Sequence, residues 1–196
     1  MAKKRRNQYQ FRPDPTGTSL IKKIHLTRKQ WLSLLKWSLL SAVVLLALVI
    51  QDVIMSQFRF SGATTDLAVC AILLIGLYEG IEEGGLFALL ASLCYCLSGS
   101  APGPYSIMLL TFLTVGLSLL RQIFWRRSFG SIALCGCIGI MVYETAIFAT
   151  ALFQGLTIPS RLGVAVLTGV MTCLALAPLY PLVKRIAKIG GETWKE

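Results

Sequence analysis

The residues of this chain that could do chemistry are chiefly carboxylates set among apolar side chains. Glu79, Glu82 and Glu83 stand three and four apart, so one continuous helix would carry all three on a single face. A cluster of that kind could hold a cation or relay a proton. It could equally be a solvated loop pairing with Arg121, Arg126 or Arg127. The second reading is preferred, because no neighbouring His, Asn or Asp completes a ligand set.

Glu144 is harder to place at a surface. It falls near the middle of "GIMVYETAIFATAL", where a charge at the centre of a bilayer costs on the order of 3 kcal/mol. Protonation, a hydrogen bond from Tyr143 or Thr145, or a polar group on another span would compensate it. A buried structural contact is expected ahead of a substrate or proton-carrying role.

Six cysteines, Cys70, Cys94, Cys96, Cys135, Cys137 and Cys173, all lie in apolar stretches, where they read as small hydrophobes. The only histidine, His25, sits in a basic arm, so no zinc motif forms. There is no Ser, His and Asp set, no P-loop and no dinucleotide fingerprint. No enzymatic activity, cofactor or metal is expected.

The elements that must position Glu144 are membrane helices. The chain has 196 residues, of which 55% are hydrophobic and 14% charged, and a mean hydropathy of +0.69. A soluble domain could not cover so much apolar surface. The expected fold is an all-α integral membrane protein of about six transmembrane helices. The long apolar runs are Trp37 to Ile54, Leu67 to Tyr78, Leu86 to Leu97, Ile107 to Leu120, Ile132 to Phe153 and Leu162 to Val183. The second and third are only twelve residues each, short of the ~20 that a bilayer asks for. They either extend to Thr64 and Gly99 or form a re-entrant hairpin shielded by other helices.

Three regions are expected: a basic arm over residues 1–30, a six-helix transmembrane domain over 31–188, and a short tail over 189–196. The first apolar run lies too far from the N-terminus to be a cleaved signal and stays as an anchor. Leu20, Ile21, Ile24, Trp31 and Leu35 recur at helical intervals among basic residues, suggesting an amphipathic segment on the inner leaflet, with Trp31 and Trp37 at the interface. Lys3, Lys4, Arg5, Arg6, Lys22 and Lys23 would hold anionic lipid, which is preferred to nucleic acid. With six crossings and the N-terminus inside, only Arg59 and Arg161 of the 19 basic residues lie outside. Both termini are therefore expected in the cytoplasm.

Gly76, Gly80, Gly84, Ala88 and Ser92 fall every four residues, which on a continuous helix makes a ridge where another backbone can approach closely. Packing within the chain is preferred to a partner interface. The glycines between Gly76 and Gly85 also make this the expected place for a break.

From Gln51 to Arg127 the chain reads as a first span ending in Gln, then "GATTDLAVCAILLIGLYEG", "GGLFALLASLCYCLSG" and "PGPYSIMLLTFLTVGLSLLRQIFWRR". Together with chain length and layout, these runs resemble MreD, the rod shape-determining membrane protein family. In that family a Pro or Thr before an Asp opens the second span, as Thr65 and Asp66 do here. A Gly-rich turn leads to the third span, and a Gly marks the start of the fourth, as Gly103 does. Many members carry an Asp near the end of the third span, where this chain has Cys96.

The resemblance implies a nonenzymatic scaffold subunit of the bacterial cell-elongation and peptidoglycan-synthesis machinery in the inner membrane. Its implied partners are MreC, and with it MreB, RodA and the partner transpeptidase of RodA. The family's fold is similar to the substrate-binding subunits of energy-coupling factor transporters, which supplies the alternative function. That alternative expects an outward polar pocket near Asp52, Arg59, Asp66, Tyr105 or Arg161. It also wants two alanines four apart on the first span, where this chain has Ala42 and Ala47. A proton-coupled carrier using Glu144 ranks last, since no internal repeat is visible.

Overall fold

The computed structural model describes residues 28–55, 57, 62–124 and 129–190. Six α-helices account for most of them: α1 (Arg28–Ile50), α2 (Leu67–Glu79), α3 (Ile81–Leu97), α4 (Tyr105–Phe124), α5 (Phe129–Phe153) and α6 (Leu162–Ala187). A π-helical turn, Gln51–Met55, continues α1, and single 3-10 turns flank α6. No β-strand occurs among the described residues. Four stretches, Gln30–Ile54, Tyr105–Gln122, Gly130–Phe153 and Pro159–Ala187, are long and apolar enough to cross a membrane. The chain thus has the build of an all-α, multi-pass membrane protein.

The shortest helix is the central one. α2 has 13 residues, about 20 Å at 1.5 Å per residue, and touches α1, α3, α4, α5 and α6. Every residue from Ala68 to Leu77 is buried. A helix that is apolar in every direction has no polar face to give to solvent, so neighbours on all sides are the stable solution. α4 has two faces instead. Leu110, Thr114, Leu117 and Ser118 are buried while Met108, Phe112 and Leu119 are exposed. Its hydroxyls therefore turn inward, and Ser118 donates to the Gly76 carbonyl at 3.2 Å. In a lipid-facing bundle this inversion is expected, because polar side chains find partners only between helices.

The small-residue ridge is divided, not continuous. α2 and α3 are joined by Gly80 alone, at φ 100°, a conformation open to glycine and strained for other residues. α3 then folds back along α2, and Gly84 lies on Gly76. A Cβ on Gly84 would stand 2.4 Å from the Gly76 carbonyl oxygen and 3.0 Å from its Cα. A Cβ on Gly76 would stand 2.0 Å from Cγ2 of Thr114. Ala88 and Ser92 continue the seam fully buried. The break also separates the acidic residues that one continuous helix would have shared: Glu79 is buried, whereas Glu82 and Glu83 are exposed.

Contacts fix the helix directions. Tyr95, late in α3, bonds to Asp66 at the start of α2. Gln51, at the end of α1, bonds to the first turn of α2, and Lys36, early in α1, meets Glu79 at the last residue of α2. The 3-10 turn after α6 packs on α1. Arg28 and Gly190 consequently come to the same end of the bundle, along with Lys36, Arg121, Lys184 and Arg185. Residues 28–35, expected on the membrane surface, form the first turns of α1 without a break; the rest of that segment lies outside the described residues.

Gly84→Ala should lower stability by about 1–3 kcal/mol, the range for forcing atoms into a filled contact, because the atom it meets is backbone. Gly116→Ala, where nothing lies within 4 Å, should change it little. Thermal unfolding of the two variants in mild detergent checks the contrast.

Candidate functional site

Each end of α2 needs partners, since the first N–H and last C=O groups of a helix have none inside it. At the C-terminal end Lys36 makes a buried ion pair with Glu79, the side chains only 4% and 2% exposed. Arg121, also buried, donates to the carbonyl of Leu77. Two cations thus converge on the negative end of the helix dipole. Glu79 pairs with Lys36, which α1 brings alongside; Arg126 and Arg127 lie outside the described residues.

At the N-terminal end Asp66 caps α2, accepting from the N–H of Val69 at 3.3 Å through Oδ1 and from the hydroxyl of Tyr95 at 2.6 Å through Oδ2. The Asp66 N–H donates to Oγ1 of Thr172 at 3.0 Å, and the N–H of Ala68 donates to Oε1 of Gln51 at 2.9 Å. The end of α1, α3 and α6 are all tied to one helix terminus. A carboxylate there matches the positive end of the dipole.

Beside this cap lies a cavity of about 350 Å³. Gln51, Asp52, Thr64 and Asp66 line one part of it, and Tyr95, Ser100, Tyr143, Glu144 and Thr168 another, with Pro102 and Ile147 as apolar wall. Asp52 also accepts from the Ser100 hydroxyl at 2.6 Å. Glu144 is half-buried and lines the cavity with Asp66. The local hydrogen bonds expected for Glu144 do not form. The Thr145 hydroxyl turns back to the carbonyls of Met141 and Val142. The hydroxyl of Tyr143, a side chain 1% exposed, meets the hydroxyl of Tyr95 instead.

The structure brings Tyr143 and Glu144 together with Asp66 and Asp52. It sets Gly76, Gly80, Gly84, Ala88 and Ser92 apart from them, in the hairpin seam. Tyr105 and Arg161 do not line the cavity, and Lys3, Lys4, Arg5, Arg6, Lys22, Lys23 and Arg59 lie outside the described residues. All six cysteines are free thiols, with Cys173 donating weakly to the Cys137 carbonyl at 3.8 Å. Among the described residues no group of three His, Cys, Asp or Glu is placed to hold a metal ion. Lys36, Tyr95 and Thr172 escaped the sequence reading, although each is a polar residue within or bordering an apolar run.

The chain is thus a multi-pass helical protein with a polar cavity at the N-terminal end of its central helix. Comparison with protein families, with curated proteins and with solved structures finds no match for it.

Lys36→Met alone should destabilise the protein by about 3–5 kcal/mol, the range for leaving one buried charge unpaired. Adding Glu79→Leu should recover most of that loss. A double-mutant cycle read by thermal unfolding checks both the size and the recovery.

Proposed function

We propose that this chain is a nonenzymatic scaffold subunit of the bacterial cell-elongation machinery, a relative of the MreD family. The observation that carries this reading is the solid centre of the bundle. α2 is enclosed on all sides, and its far end is closed by Lys36, Glu79 and Arg121. The surface left for function is the outside, where Leu86, Leu90, Leu93 and Leu97 of α3 and Met108 and Phe112 of α4 are exposed. The residues behind the resemblance also hold structural posts suited to it. Asp66 caps α2, Gly80 makes the hairpin turn, and Gly103 precedes α4.

In this reading all six helices cross the inner membrane, with the short α2 sheltered from lipid by its neighbours. The basic residues gathered at one end, Lys36, Arg121, Lys184, Arg185 and Lys188, support cytoplasmic termini by the positive-inside rule. The basic arm then meets anionic lipid. MreC is the first partner expected, followed by MreB, RodA and its partner transpeptidase.

A second reading, the substrate-binding subunit of an energy-coupling factor type transporter, draws support from the polar cavity, which includes Asp52 and Asp66 as that reading expects. Against it, Ala47 is buried in the bundle while Ala42 is exposed, so the two alanines offer a transmembrane partner no common docking face.

Affinity purification of the tagged protein from its native cells in mild detergent, with mass spectrometry of what is retained, separates the two. MreC or the elongation synthases are the expected companions. Paired ATPases with a transmembrane coupling subunit would replace the scaffold reading with the transporter one.

A further inference from the structure

α6 carries two prolines, Pro178 and Pro181, and runs on through them to Ala187. Leu174, Pro178, Pro181, Arg185 and Lys188 follow at intervals of four, three, four and three, so they share one side of the helix. All five are exposed. At the basic end of this stripe lies a notch of about 450 Å³, lined by Pro178, Pro181, Leu182, Arg185 and Ile186. Its floor is apolar and Arg185 supplies charge at its edge. The second, independent observation concerns that charge. Arg185 and Lys188 stand three apart, where like charges repel, and neither has a carboxylate at ion-pair distance among the described residues. The third cation, Lys184, lies over the ring of Tyr180 at 5.7 Å.

We propose that this notch seats an anionic phospholipid, its phosphate on Arg185 and Lys188 and one acyl chain against Pro178, Pro181 and Leu182. The site is separate from the basic arm. The inference goes beyond the scaffold reading and holds whether the chain scaffolds or transports.

The choice of ligand follows from the chemistry of the two halves. A guanidinium presents a planar pair of donors that fits two oxygens of a phosphate, and the ammonium of Lys188 adds a second positive charge to the same anion. Proline has no N–H to offer, and Leu182 and Ile186 have apolar side chains, so the floor of the notch suits hydrocarbon. The level in the membrane also fits. Basic residues at the end of a span mark where hydrocarbon gives way to head groups, so a phosphate at Arg185 leaves its acyl chain running along α6 towards Leu174. A free anion would leave the apolar floor bare. A choline lipid would bring a further cation to a site that already holds two.

The test is thermal unfolding of the purified full chain in neutral-detergent micelles, followed by tryptophan fluorescence, with phosphatidylglycerol or phosphatidylcholine of the same acyl chains added. A ligand that binds only the folded state raises the midpoint, by about 2–5 °C for a protein of this size near saturation. Phosphatidylglycerol should do so and phosphatidylcholine should not. Arg185→Gln with Lys188→Gln, both at exposed positions, should lose most of the rise. Pro181→Leu, which puts a longer side chain into the notch, should raise the half-saturating concentration about fivefold. Lys4→Gln with Arg5→Gln, in the basic arm, should keep the wild-type rise. No rise with phosphatidylglycerol, or an equal rise with both lipids, overturns the proposal. So does a wild-type response in the Arg185 and Lys188 double variant or in Pro181→Leu, loss of the rise in the arm variant, or a full rise from glycerol phosphate, which carries the charge without an acyl chain.

Discussion

The structure turns on a helix too short to serve itself. α2 is 13 residues long and enclosed by five other helices, so both its termini end inside protein, where an unpaired backbone group is costly. Satisfying those termini recruits residues from far along the chain. Lys36 and Arg121 come from 43 and 44 residues away, and Thr172 from 106. α1, α3, α4 and α6 are each joined to α2 by at least one such contact. The polar groups at its two ends therefore set the directions of the surrounding helices, and apolar packing fills the space between.

That packing works by closeness. Hydrocarbon tails are as apolar as leucine, so helices gain little by hiding apolar surface from lipid and associate through tight van der Waals contact and hydrogen bonds. The Gly76–Gly84 approach is the clearest case, since neither residue has space for a methyl group. Gly139 shows the same arrangement on α5, where a Cβ would meet Leu117 at 2.4 Å. Buried hydroxyls of Ser106 and Thr114 bond to carbonyls one turn back, so they add little polarity to the seam.

The number and order of the helices were legible in the sequence, because each corresponds to an apolar run bounded by charge, glycine or proline. Their edges were less so. α3 starts at Ile81, five residues before its apolar run, because Glu82 and Glu83 form its first turn; acidic residues there suit the dipole and could have been read as a helix start. Lys36 looked like the end of a basic stretch. Its pairing with Glu79 is a tertiary event that no local pattern encodes. Glu144 was legible as a residue needing compensation, but the groups around it come from α1, α2, α3 and α6. Of the partners the sequence could name, Tyr143 and Thr145, neither bonds to it; the polar groups of other spans that it also allowed for could not be named without the fold.

The two ends of α2 meet the same requirement in opposite ways. At one end opposite charges pair with little space left between them, so the contact is complete within the chain. At the other, a carboxylate cap borders about 350 Å³ that further carboxylates also line. The capping bonds to Asp66 hold the terminus in place. The closed end fixes the bundle; the open end leaves a polar volume beside the cap.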